Sequence, residues 1–176
     1  CPAREILAGR DVQEDPDIAG YRFQVLQRLS AGDQQPALIA TCIQTLMQRA
    51  VSPTILREHS LPLRLGHHVE IEQVMASAAE LGYEAASEVN VKGQICAKGG
   101  LIDIWPVTCV WPVRVEFLGS QIESMRTFDP AGQLSLERVE EVLISPSQEM
   151  ALMQGEAATV SFADYLPRDT LLLWSN

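Results

Sequence analysis

The sequence predicts an α/β segment joined to a small α+β domain, in which one helix covers a mainly antiparallel sheet. Three observations indicate this fold class. Apolar and polar residues alternate with period two at residues 102–104 and 113–117, as in strands with one buried face. Apolar residues recur at helical spacing over residues 71–81. Over residues 16–49 a helical pattern, a short apolar run and a second helical pattern follow one another, and a strand followed by a helix is typical of α/β structure.

The antiparallel sheet is expected between residues 93 and 147. Alternate side chains of a strand share a face, so the predicted core face carries Val113, Val115 and Phe117. The opposite face then carries Arg114, Glu116 and Leu118. Turn residues at 119–120 and 129–132 join successive strands, because glycine tolerates positive φ and proline presets the first central turn position. A meander is the simplest topology for these strands.

The elements before this sheet begin a second domain near residue 61. A strand over residues 61–65 ends at Gly66, and residues 83–89 predict a further strand. Between them lies a helix that ends at Gly82. Its apolar stripe, which we expect to cover one face of the sheet, consists of Ile71, Val74, Met75, Ala78 and Leu81. The pair Gly99-Gly100 is expected to mark a bulge or a close backbone approach within a strand region.

The first helix is predicted from an N-cap and a first-turn proline, Asp15 and Pro16, and it continues until Gly32. Its apolar stripe is expected at Ile18, Tyr21, Val25 and Leu29.

Shorter elements follow the first helix. Residues 36–41 predict an apolar strand, and a capping box at Thr41 and Gln44 opens a helix that runs to residue 49. One more helical turn starts at residues 52–54, before a boundary near residue 59. After Pro146 the chain predicts a linker with room for one helical turn, and the apolar run 171–174 predicts a buried strand.

Composition restricts the classes of function. The chain has 176 residues and is 47% hydrophobic, so it can bury a core. Its formal net charge of −10 opposes nonspecific attraction to the phosphates of nucleic acid. No apolar run approaches the roughly 20 residues that span a bilayer, and the cytoplasm is the expected location. The four cysteines are scattered along the sequence and predict reduced thiols. The three histidines predict an exposed polar turn more readily than a metal site.

Two runs of residues carry a resemblance to a known family. AKGGLIDIWP, which starts at Ala97, and PVRVEFLGSQIESMRTFD, which ends at Asp129, are similar to two motifs of the bacterial nucleotide-excision-repair proteins UvrB and Mfd. The resemblance implies a partial, nucleotide-fold-like first domain at 1–58 and 155–176, truncated and without its phosphate loop. It also implies an inserted UvrA-interaction domain at 59–147 and a linker at 148–154.

The resemblance also implies a docking set for UvrA. Three family positions fall on Lys98, Arg114 and Leu118, and Glu116 belongs to the same motif. Lysine lacks the planar fork of the family's arginine, and leucine lacks the aromatic face of the family's phenylalanine. Ser120-Gln121 stands where the family has an acidic pair. The alternative is that Arg114 only pairs with Glu116 on a solvated face.

The resulting hypothesis is a non-catalytic piece of a transcription-repair coupling factor that recruits UvrA. No G-x-x-x-x-G-K-[ST] loop occurs in the sequence, so ATP and magnesium are implied only for the longer parent, an ATP-dependent translocase that also contacts RNA polymerase and double-stranded DNA. A UvrB fragment is one alternative, against which the lack of an aromatic residue in ILAGRDVQEDPD counts. A structural module that has lost UvrA binding is the other.

Overall fold

The computed structural model describes residues 1–3, 15–31, 38–153 and 158–174. Up to residue 60 the elements are α1 (Pro16–Ser30), α2 (Ile43–Met47), β1 (Arg49–Val51) and α3 (Pro53–Glu58). The central elements are β2 (Leu61–Arg64), α4 (Ile71–Glu80), β3 (Glu84–Ala85), β4 (Gln94–Lys98), β5 (Leu101–Ile104), β6 (Val113–Leu118), β7 (Gln121–Phe128), β8 (Ser135–Arg138) and β9 (Glu141–Ile144). The last elements are α5 (Glu149–Leu152), β10 (Thr159–Ser161) and a 3-10 helix (Phe162–Tyr165).

The central sheet has six strands in the order β3-β4-β5-β6-β7-β8. Strands β4 to β8 form the predicted antiparallel meander. A separate antiparallel pair joins β2 to β9. The mixed α/β fold class and the antiparallel sheet are therefore confirmed.

One core lies between this sheet and α4. The predicted helical stripe is confirmed, because Val74 and Ala78 are fully buried and the other members of the stripe pack against the same cluster. The predicted core face of β6 is also confirmed, with Val113 and Val115 buried and Phe117 half-buried at the margin. Gly82 ends α4 with a φ of 84°, a conformation that glycine adopts without steric cost.

A second core gathers residues from both ends of the described chain. It combines α1, α3 and the β1–β10 pair with the 3-10 helix, and its largest buried side chains are Phe23, Leu26, Leu56 and Phe162. Val107, from the loop after β5, also packs into this core. The loop meets α1 so closely that a Cβ on Gly20 would lie 2.0 Å from the carbonyl oxygen of Val107. The loop that leaves the central sheet after β5 is therefore packed against α1 of the second core.

The buried face of α1 differs from the predicted stripe. Its cap is confirmed, since the Asp15 side chain accepts a hydrogen bond from the amide of Asp17. Tyr21, however, is 59% exposed, whereas Arg22 is fully buried. The spacing of apolar residues could not show that Arg22 lies on the buried face of α1. Its charge is neutralised by Glu149, which lies far along the chain.

The elements between α1 and α3 also depart from expectation. A strand was predicted over residues 36–41, but residues 38–41 are irregular. The strand in this region is β1, and it begins at Arg49, where the predicted second helix was expected to end. Helix α2 begins after Cys42 without a side-chain cap, because the hydroxyl of Thr41 donates to the carbonyl of Cys1. The predicted turn at residues 52–54 is confirmed as α3, which Ser52 caps by accepting from the amide of Ile55.

Three further predictions are wrong or shortened. The strand predicted at 83–89 covers only Glu84–Ala85, because its parallel pairing with β4 makes the chain turn back within residues 86–93. Gly99-Gly100 forms the turn between β4 and β5 and no bulge inside a strand, but the predicted close backbone approach is confirmed, since a Cβ on Gly100 would lie 3.3 Å from the carbonyl oxygen of Phe117. Leu171 to Trp174 form no strand and are 64–80% exposed, since no strand of the described ranges lies beside them. They line an open cavity of about 870 Å³ with Ile39 and Leu46.

The segment after Pro146 contains the helical turn that was predicted, as α5. Its Glu149 is fully buried, so this stretch is packed and does not behave as a solvated linker. Residues 6–14 of the run ILAGRDVQEDPD lie outside the described residues. Gly32, the predicted end of the first helix, also lies outside them. None of the helices in the described ranges is both long enough and apolar enough to cross a membrane.

Candidate protein-docking face

Strand register places the predicted site residues on one side of the central sheet. Lys98 lies opposite Leu101, and Leu101 lies opposite Glu116. Directly opposed residues of antiparallel strands share a face, and so do residues two apart in one strand. Lys98, Arg114, Glu116 and Leu118 therefore belong to one surface, here called the polar sheet face. This surface is opposite the face that packs on α4.

Arg114 is held rigidly at the centre of the polar sheet face. Its Nε and Nη2 donate to the two carboxylate oxygens of Asp103, each at 2.7 Å, and Nη2 also donates to Oε1 of Gln133 at 2.8 Å. The guanidinium lies 4.6 Å from the centroid of the buried Phe128 ring. The hydrogen bond to Asp103 raises the pKa of Arg114 above its ordinary value. Little side-chain entropy remains to be lost when such an arginine binds a partner.

The alternative pairing of Arg114 with Glu116 is wrong. Arg114 bonds to Asp103 because the two stand directly opposite each other on β5 and β6, whereas Glu116 is two positions along. Glu116 accepts from Nη2 of Arg126 at 2.6 Å and from the hydroxyl of Ser124. The hydrogen bond from Arg126, and to a smaller extent that from Ser124, lowers the pKa of Glu116 below its ordinary value.

Lys98 and Leu118 stand at the same end of the sheet, where the hairpin turns lie. Lys98 is the last residue of β4, and Leu118 is the last residue of β6. The amide of Phe117 donates to the carbonyl of Gly100, which brings the two turns side by side. Lys98 is exposed, and Leu118 is 67% exposed. A cationic and an apolar side chain are thus both accessible at this end of the polar sheet face, which also carries the ordered arginine.

Sequence reasoning missed the side chains that order the site. Asp103 was not among the predicted site residues, yet its side chain is only 17% exposed and binds Arg114. Arg126, Gln133 and Phe128 received no role. Pairing β5 with β6 in the register set by their alternating patterns would have brought Asp103 and Arg114 together, but Gln133 comes from a loop that alternation does not describe.

The arrangement of the polar sheet face is suited to binding. Within the described residues no group of three or more His, Cys, Asp or Glu side chains could hold a metal ion. Asp103 and Glu116 are each engaged by an arginine, and the lowered pKa of Glu116 favours its ionised form over a general acid. An exposed leucine beside charged side chains is a common composition for a protein contact.

Comparison with known proteins assigns the family. Residues 61–150, more than half of the chain, match the family model described as the UvrB interaction domain. The chain belongs to the UvrB interaction domain family. The matched range contains the whole polar sheet face, and the resemblance that the two sequence motifs indicated is confirmed.

Individual relatives bear the name transcription-repair-coupling factor. The protein from Bacillus subtilis is 28% identical over 158 residues, which cover 89% of this chain and 13% of that protein. The protein from Myxococcus xanthus is 27% identical over 177 residues, which cover 98% of this chain and 15% of that protein. A Staphylococcus aureus protein of the same name is 26% identical over 153 residues. The chain thus spans only 13–15% of the length of these curated relatives.

Proposed function

We propose that this chain is a protein-docking module of a transcription-repair coupling factor and that it recruits UvrA through the polar sheet face. The observation that carries the proposal is the fixed geometry of Arg114, which is ordered by Asp103 and Gln133 before any partner arrives. The family match over residues 61–150 and the names of the relatives support the same assignment.

Arg114 and Leu118 have complementary roles in the proposed contact. Nη1 of Arg114 makes no hydrogen bond among the described residues, so this edge of the guanidinium can reach a carboxylate of UvrA. Leu118 lies on the same face four residues further along β6, and it excludes water from this end of the contact when it is covered. Lys98 adds a positive charge on β4, which β5 separates from β6, although its ammonium group cannot form the paired hydrogen bonds of an arginine.

The module itself is proposed to be non-catalytic. The work of the longer protein, which we take to be an ATP-dependent translocase acting in the cytoplasm on RNA polymerase and double-stranded DNA, belongs to regions outside this chain. ATP and magnesium are likewise proposed to bind there. The polar sheet face then has one task, to hold UvrA next to that machinery.

Calorimetric titration of UvrA into the chain tests this proposal. Leu118→Ala should weaken binding about tenfold, because burying a leucine side chain is worth about 1.5–3 kcal/mol and the substitution removes most of it. Arg114→Ala should weaken binding at least about 30-fold, the loss typical of a central interface residue. Leu118→Ala leaves the core untouched, so a loss of binding by this variant cannot be attributed to unfolding.

Two results would reject the proposal. Folded wild-type chain that does not bind UvrA would indicate a structural module. Tight binding of duplex DNA by the chain, with strong salt dependence and no response to Leu118→Ala, would instead favour the UvrB-like alternative.

A further inference from the structure

The register of the sheet aligns one acidic and three basic residues in a row across four strands. Asp103 of β5 faces Arg114 of β6, Arg114 faces Arg126 of β7, and Arg126 faces Arg138 of β8. Opposed side chains in such strands have Cβ atoms about 4.5–5.5 Å apart. The row therefore continues the polar sheet face by about 10 Å beyond Arg114.

The charges in this row do not balance towards its outer end. Asp103 neutralises Arg114, and Glu116 neutralises Arg126. Arg138 is exposed and forms no ion pair with any residue of the described ranges. Like charges directly opposite each other destabilise a sheet. The outer end thus holds an uncompensated positive charge, although the chain as a whole carries a net charge of −10.

A second observation shows that Arg126 is incompletely satisfied. Its Nη2 donates to Glu116, but its Nε is buried and has no hydrogen-bond partner. Glu137, the nearest carboxylate in sequence, forms no ion pair with Arg138 in the described ranges. The buried Nε of Arg126 is out of reach of solvent, so a carboxylate arriving from outside would give a partner to Arg138, which is exposed.

The row is open at β8. This strand is the last in the sheet order, and each of its four residues is exposed. No described element covers the polar face of β8, so a protein bound over Arg114 can extend across it. A docking patch of ordinary size buries about 800 Å² on each partner, which is ample to include a residue about 10 Å from the centre.

We propose that Arg138, with Arg126 behind it, binds a carboxylate-bearing segment of UvrA and so extends the docking site from β6 to the edge of the sheet. This inference rests on the proposed function, because it names a further contact of the same partner. Guanidinium groups bind carboxylates with paired, charge-assisted hydrogen bonds, which fix orientation as well as affinity. Arg138 serves as the charged contact, and Arg126, which is already paired with Glu116, stands directly opposite it on β7.

The test is a titration of UvrA into wild-type chain, Arg138→Glu and Arg57→Glu. Arg57 is an exposed residue of α3, the helix that packs into the second core, away from the polar sheet face. Arg57→Glu changes the net charge by the same two units as Arg138→Glu. Arg138→Glu should weaken binding at least tenfold and reduce the dependence of affinity on salt, whereas Arg57→Glu should change affinity less than about twofold. Circular dichroism verifies that each variant is folded.

The outcomes separate this inference from the proposed function. If Arg138→Glu binds like wild type while Leu118→Ala still loses affinity, the extension to β8 is wrong and the docking face stands. If the wild-type chain does not bind UvrA, both are wrong. A fluorescence anisotropy titration with duplex DNA should show no Arg138-dependent binding, and binding that Arg138→Glu abolishes would overturn the assignment to a carboxylate.

Discussion

Replacing Glu149 with glutamine should lower the free energy of unfolding of this chain by about 3–5 kcal/mol. Glu149 and Arg22 form a buried ion pair, with Nε and Oε2 2.7 Å apart and relative side-chain exposures of 1% for Arg22 and 0% for Glu149. Oε1 of Glu149 also accepts from the amide of Val51 at 3.1 Å. Glutamine keeps an oxygen for that amide, but its NH2 group replaces the oxygen that accepts from Nε of Arg22, so the substitution removes both the charge and that hydrogen bond.

The magnitude follows from the uncompensated arginine. A buried pair contributes little net stability, because desolvation offsets much of the attraction, but removal of one partner leaves the other charged and dry. The double variant Arg22→Met, Glu149→Gln removes both charges. It should therefore be more stable than Glu149→Gln alone, and a double-mutant cycle gives the coupling energy.

Urea denaturation followed by far-ultraviolet circular dichroism measures these differences as shifts in midpoint at constant slope. The exposed pair Arg64–Glu141, whose side chains are 51% and 50% exposed, provides the control. Glu141→Gln should cost less than about 1 kcal/mol. A cost for Glu149→Gln no larger than that of Glu141→Gln would refute the buried pairing.

Two further predictions concern the junction between the cores and the polar sheet face. Gly20→Ala places a Cβ 2.0 Å from the carbonyl oxygen of Val107, so α1 must shift. Thermal unfolding should show that the free energy of unfolding falls by about 1–3 kcal/mol. An unchanged melting temperature would contradict the close approach. Glu116 has a pKa below its ordinary value of 4.5, so its ionised form stabilises the fold above that pH and the contribution is lost as pH falls through the lowered pKa. Glu116→Gln should therefore make stability less dependent on pH in this acid range, and urea midpoints that fall as steeply as those of wild type would contradict the pairing.

The central sheet was predictable because its signals are local. Alternation in β6 assigned Arg114, Glu116 and Leu118 to one face and their neighbours to the core, and this assignment needs only the period of a strand. The stripe of α4 was equally accessible, since its apolar residues recur at helical spacing and Gly82 marks its end.

The remaining features depend on partners that are distant in sequence. Arg22 looked exposed because the carboxylate that neutralises it lies 127 positions away. The partner of Arg114 was misassigned because alternation gives the face of a residue but not the strand opposite it. Strand β1 is three residues long and exists through its pairing with β10, so no local pattern indicated it.

Hydrogen–deuterium exchange of the chain with and without UvrA tests the location of the docking site most directly. Amides in the turns at 99–100 and 119–120, which flank Lys98 and Leu118, should be protected when UvrA binds. Helix α4 covers the other face of the sheet, and its exchange should not change. Protection confined to α4 or to the core around α1, with exchange in both turns unaffected, would contradict docking through the polar sheet face.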